Sequence, residues 1–179
     1  MPTDALLIFG AGGHGRVVAD AARAAGATRL LASDRNPALC QGELLPGITL
    51  HLPDDLPPTE SAALHVAVGH NAARERESRT LGVHRLHTVC HPAASVSPFA
   101  QVGAGSFIAA QAVVAPGARL GLGVIVNHGA VVDHDCLVGA FAHIAPGAML
   151  GGGVHIGTSV LVGAGAVVQP GLTVIADAI

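Results

Sequence analysis

The chain has 179 residues, half of them hydrophobic, yet only 2% are aromatic and there is no Trp or Tyr. Net charge is −3, there is no Lys, and the nine arginines do not cluster, so a nucleic-acid footprint is excluded. No run of eighteen apolar residues is free of turn formers, and Asn127 and His128 interrupt the apolar stretch 124–132, so no membrane-spanning helix is expected. The N-terminus lacks a basic segment and enters a strand at once, unlike a signal peptide. Cys40, Cys90 and Cys136 are odd in number and lack metal-ligand spacing, which reads as reduced thiols in the cytoplasm.

Residues 1–90 read as a small α/β domain. Ala5–Phe9 is a short apolar run suited to a buried strand, and a helical pattern follows over Arg16–Ala25. Between them Gly10, Gly12 and Gly15 fit G-x-G-x-x-G, with Asp34 after a second strand, Leu30–Ala32. Such a turn aims backbone N–H groups and a helix N-terminus at a phosphate. The domain holds one mononucleotide-sized half, which favours a nucleotide sugar over NAD. His14 sits in the turn, where it either contacts a phosphate or sugar or merely faces solvent. Leu52–Glu60 is Pro- and Asp-rich and reads as a loop, and Leu64–Val68 as a strand ended by Gly69. A polar helix over Ala72–Leu81 is expected to turn Arg74, Glu75, Arg76, Glu77 and Arg79 to solvent.

Residues 91–179 form a second domain, entered through Pro92. From Val96 an aliphatic residue recurs every six positions for fourteen hexads, ending with Val168 and Val174. A period of six fits neither helix nor plain strand and signals a parallel β-helix. Three hexads make one triangular coil, so residue n stacks on n+18. The aliphatic residue and the small residue four places later, such as Ala112, Ala130 or Cys136, point into a narrow prism. His134 falls on the third position of its hexad, in or near a turn, and is expected to point outward. His128 takes the same position one hexad earlier, hence near a different edge, and His155 reads as an ordinary surface residue.

IFGAGGHGRVVADAARAAG, VAVGHN, HPAASVSP and NHGAVVDHDCLVGAFAHIAPGA together span nearly the whole chain. On these motifs it resembles the sialic acid O-acetyltransferase and UDP-4-amino-sugar N-acetyltransferase family of hexapeptide-repeat acyltransferases, whose members include the bacillosamine-pathway enzyme. The resemblance implies a left-handed β-helix, a homotrimer, and acetyl-CoA held between adjacent helices as co-substrate, with no metal. It implies that His134 is the general base and that Asp135 raises its basicity. His143 and Ala164 fall on acetyl-CoA contacts. Gly12, Gly13, His14, Asp34, Arg35 and Gly69 fall on the nucleotide-sugar site.

The residues support this chemistry independently. Acetyl transfer from a thioester needs a base for the acceptor's proton. Histidine titrates near neutrality, and the flanking carboxylates Asp133 and Asp135 lift its pKa. The thioester is already activated, so no nucleophilic Ser or Cys is required. The acceptor remains open between the amine of a nucleotide-linked amino sugar and a hydroxyl of sialic acid or a related sugar. Rival readings are a histidine zinc site, an NAD-dependent oxidoreductase and a non-catalytic nucleotide-sugar-binding scaffold. The spacing of His128, His134 and His143 and the small first domain speak against the first two. Relatives usually continue beyond the equivalent of Ile179, so the sequence reads as shortened, with an apolar last hexad, Val174–Ile179, that calls for a cover.

Overall fold

The computed structural model describes residues 5–56 and 62–175. The chain begins with β1 (Leu6–Phe9), α1 (Gly13–Ala24), β2 (Leu30–Ser33), β3 (Glu43–Leu45), β4 (Ile48–His51), β5 (Ala63–Val66) and α2 (Asn71–Leu81). The strands form one sheet in the order β3-β4-β2-β1-β5, parallel except for the β3–β4 pair. β1 is central and all four of its residues are buried, as expected of an apolar run flanked on both edges. α1 buries Val18, Ala19, Ala21 and Ala22 and leaves Arg16, Asp20 and Arg23 outside, the pattern of a helix laid on a sheet. The hairpin β3–β4 has no counterpart in the sequence reading. Its strands are only three and four residues long, too short for an alternation to stand out.

The helix at 72–81 is where the expectation fails most clearly. Glu75 and Arg79 lie on the outer side, as expected, and form an i,i+4 pair. Arg74 and Glu77, however, are 1% and 3% exposed. They are buried because the second half of the molecule covers one side of the helix and Arg35 covers another.

That second half is a left-handed β-helix of two-residue strands in three parallel five-stranded sheets. The first face carries Val89–Cys90, Phe107–Ile108, Ile125–Val126, His143–Ile144 and Leu161–Val162. The second runs from Ser95–Val96 to Val167–Val168, and the third from Gln101–Val102 to Thr173–Val174. Neighbouring coils pair in register at a spacing of eighteen, as in Val113↔Val131 and Leu137↔His155. Coiling therefore starts one hexad before Val96, at Cys90. The interior is the expected stack of small aliphatics, from Ile108 and Ala112 to Val160 and Val162, with Cys136 fully buried among them. Residues 176–179, where an apolar end needing a cover was expected, lie outside the described residues.

The outward strand residues differ by face. On the first face Phe107 and Ile125 share one apolar cluster with Ile8, Val18 and Ala22 of the α/β domain. The chain's own N-terminal half thus covers the first coils of this face, while Leu161 at its far end is 41% exposed. The second face presents Val113, Val131, Met149 and Val167, of which Met149 is 47% and Val167 61% exposed. The third presents Gln101, Arg119, Leu137, His155 and Thr173.

Candidate active site

The glycine turn follows β1, and its glycines divide by physical role. Gly10 has φ +127°, and a Cβ there would lie 2.5 Å from the Ala67 carbonyl oxygen. A Cβ on Gly15 would overlap the Gly10 carbonyl. These two glycines are required by the fold itself. Gly12 and Gly13 have nothing within 4 Å of an added Cβ. They leave open space beside the N-terminus of α1, where unpaired N–H groups favour an anion. Asp34 braces this turn from the end of β2. One of its oxygens accepts from the Ala11 N–H at 2.8 Å and the other from the Asn36 N–H at 2.8 Å. Arg35 reaches Glu77 through Nε, 3.0 Å from each carboxylate oxygen. The Arg35 and Arg76 guanidiniums hold Glu77 below the usual carboxylate range.

A second group of residues lies in the seam between the two halves. The His14 ring meets Phe107 edge to face at 5.3 Å, and its Nε2 is buried with no hydrogen-bond partner. Burial, with His65, His143 and Arg74 nearby, pushes its pKa down to about 3. His14 is therefore neutral and inside the seam; it does not merely face solvent. His65 is fully buried, donates from Nδ1 to the His87 carbonyl at 2.9 Å, and is pushed down to about 4 by burial. On the first face, His143 Nε2 lies 3.1 Å from Asn127 Nδ2. Its ring lies near the Gly69 carbonyl, and burial pushes it down to about 4. The structure therefore brings His14, Gly69 and His143 together.

Arg74 is the bolt of this seam. It donates to the carbonyls of Val68 (2.9 Å), Gly69 (3.1 Å), Gly123 (2.9 Å), Phe141 (2.6 Å) and Ala142 (3.3 Å), and to Asn71 Oδ1 (2.9 Å). Asn71 in turn donates to the Ser159 carbonyl at 2.8 Å. The turn carrying Gly69 is thereby fixed against three successive coils of the helix.

His134 is elsewhere. It occupies the turn between the second and third faces, which is the prism edge opposite the first face. Its side chain is 61% exposed, and Nδ1 lies 2.9 Å from Asp135 Oδ2. Asp133 Oδ1 accepts the His134 backbone N–H at 2.7 Å. The Asp135 bond, helped by the charge of Asp133, raises the imidazole pKa above its ordinary value. Since Nδ1 faces the carboxylate, Nε2 is left to take a proton. His128 and Ala164 sit on the remaining relevant edge, between the first and second faces, both exposed. A cleft of about 240 Å³ separates this edge from α1 and is lined by Arg16, Asp20, His91 and His128. Among the described residues, no three His, Cys, Asp or Glu side chains are grouped to hold a metal ion, and no helix is long and apolar enough to cross a membrane.

Sequence reasoning missed Arg74, Asn127, His65 and Phe107. Phe107 carried a signal: it is one of only four Phe, on an outward position of its hexad, where an aromatic announces a covered face. Arg74 carried none, because its partners lie up to 68 residues away.

A glycine turn joined to a β-helix with an exposed His–Asp pair defines a two-domain hexapeptide-repeat acyltransferase. Residues 5–81 match the family model described as the PglD N-terminal domain. GDP-perosamine N-acetyltransferase from Caulobacter crescentus is 35% identical, with 97% of this chain and 83% of that one aligned at a TM-score of 0.89. It was crystallised with CoA and GDP-perosamine in variants replacing one histidine by alanine or asparagine. The acetyltransferase domain of PglB from Neisseria gonorrhoeae, seen with acetyl coenzyme A, is 37% identical over 99% of this chain and 90% of that one, at a TM-score of 0.75. WeeI from Acinetobacter baumannii shares the fold at 22% identity and a TM-score of 0.73, over 96% of each chain. No curated protein sequence matches significantly. The chain belongs to the PglD-type family of hexapeptide-repeat sugar N-acetyltransferases.

Proposed function

We propose that the chain, as a homotrimer in the cytoplasm, transfers the acetyl group of acetyl-CoA to the amino group of a nucleotide-linked amino sugar. The observation that carries this reading is the exposed His134, whose Nδ1 is held by Asp135 and whose Nε2 is free. The neutral amine attacks the thioester carbonyl carbon, and the C–N bond forms. His134 Nε2 takes the proton lost by nitrogen. As the C–S bond breaks, the imidazolium returns that proton to the departing thiolate. A base whose pKa lies near the working pH suits both transfers.

The prism supports the trimer. The first face is largely covered and the third is mixed, whereas the second carries Val113, Val131, Met149 and Val167 above Ser95, with Met149 and Val167 exposed, and a second copy on the second face would bury them. In a closed three-fold arrangement around that face, each prism sets its first–second edge against the second–third edge of its neighbour. His134 of one copy then comes beside the His128–Ala164 edge and the Gly12, Gly69 and His143 region of the next. The nucleotide sugar rests on the open space at Gly12 and Gly13 with Asp34 and Arg35 behind it. Acetyl-CoA lies along the shared edge near His143 and Ala164. The three free cysteines fit a reducing compartment.

Thiol release from acetyl-CoA, with UDP- and GDP-linked amino sugars and free sialic acid as acceptors, tests the reaction. Turnover with an amino sugar and none with sialic acid is expected; silence with every acceptor overturns the reading. Mixing His134→Ala chains with Gly12→Trp chains, each inactive alone, tests the shared site. Recovered activity in the mixed trimers is expected, and none would place all groups in one chain.

A further inference from the structure

The turn that carries His134 holds a second feature, on the coil above it. Residue 134 stacks on residue 152, and residue 135 stacks on residue 117. Asp135 has φ +59°, in a column where Gly117, Gly153 and Gly171 have φ of +77°, +66° and +71°. An L-residue there is strained by about 1 kcal/mol, and such strain collects at functional positions. The strained backbone aims the carboxylate at His134 Nδ1. The Asp135 side chain lies over Gly117, where a Cβ would overlap Oδ1.

Gly152 is different. Its φ is outside the left-handed region, so the backbone there does not require glycine. The three nearest atoms to an added Cβ are all in the His134 ring: Nε2, which it would overlap, Cε1 at 2.6 Å and Cδ2 at 3.2 Å. Compare Gly139, where the added methyl would strike the Thr158 backbone nitrogen at 2.5 Å. There a side chain would push coils apart; at 152 it would only push an exposed imidazole aside. We infer that Gly152 is a positioning residue for His134: the absent side chain is the floor on which the imidazole lies while Asp135 holds its other nitrogen. The inference rests on His134 being the base.

Gly152→Ala tests it against a double-mutant cycle with His134→Ala. The single variant is expected to melt with the parent, because nothing rigid is struck, and to lose about 10²-fold in kcat, the scale of a displacement of about 1 Å at a reacting group. The NMR-titrated pKa of the His134 ring should fall as the Asp135 bond is lost. In the His134→Ala background the ring that the methyl would strike is gone, so no further loss is expected. Equal losses in both backgrounds would show that Gly152 acts by another route and overturn the inference. So would an unchanged ring titration. If His134→Ala itself keeps full activity, the base assignment falls, and the ring titration alone then decides whether Gly152 places the imidazole.

Discussion

Replacing Arg74 by methionine removes a buried guanidinium and keeps a side chain of similar length. Five of its six acceptors are main-chain carbonyls, and those of Val68, Gly69, Gly123 and Phe141 have no other backbone donor among the bonds described. A hydrogen bond to a charged group contributes about 1.5–3 kcal/mol, so four such bonds total about 6–12 kcal/mol. Against this stands the desolvation of the guanidinium, which burial pushes down to about 10. Measured from the ordinary arginine range, at about 1.4 kcal/mol per pKa unit, that offset is about 3 kcal/mol. A net loss of about 4 kcal/mol results, at the low end because turn carbonyls recover some water. With a urea slope of about 2 kcal/mol per molar, the unfolding midpoint should fall by about 2 M. The same variant should raise KM for the nucleotide sugar, since the Gly69 turn loses its anchor. Arg74→Lys keeps three donors without the planar fork and should recover only part of both. A methionine variant within about 1 kcal/mol of the parent would refute the idea that Arg74 fastens the two halves.

Two pH effects follow from the histidines. Unfolded His14, His65 and His143 take up protons as pH falls through 6.5, whereas the folded side chains stay neutral down to about 3, 4 and 4. Stability is therefore full above pH 6.5 and falls between about 6.5 and 4, by about 1.4 kcal/mol per pH unit for each well-buried ring; melting temperatures that stay level from pH 7.5 to 4.5 would contradict this. The His134 pKa is shifted the other way, so the acid limb of kcat/KM should lie above the ordinary histidine value. Asp135→Asn should move that limb to lower pH and lower the plateau, and a limb that does not move would remove Asp135 from the tuning of the base.

The β-helix was readable because its physics is local and repetitive. An aliphatic residue every six positions admits few other structures, and the inward place of Cys136 followed from the same count. The pairing of His134 with Asp135 was readable too, since the carboxylate is on the next residue. What lay hidden was whatever depends on contact between the two halves. A helix written Asn-Ala-Ala-Arg-Glu-Arg-Glu-Ser-Arg looks solvated on every side, and only the turn carbonyls of coils 49 to 68 residues away make Arg74 a buried group. His14 looked like part of a phosphate turn for the same reason; its Phe107 neighbour is 93 positions on.

Taking the outward residues at a period of eighteen recovers part of this. Val89, Phe107, Ile125, His143 and Leu161 form one column, Ser95, Val113, Val131, Met149 and Val167 another, and Gln101, Arg119, Leu137, His155 and Thr173 a third. Of these columns the N-terminal domain covers most of one, and the proposed trimer supplies a cover for the second. Histidines 134 and 143 are only nine residues apart, yet half a coil carries them to an edge and to the face opposite it. Closeness in sequence here means separation in space. In the proposed trimer a site that uses both draws them from different copies, and that is why the mixed-trimer experiment bears on mechanism as well as on assembly.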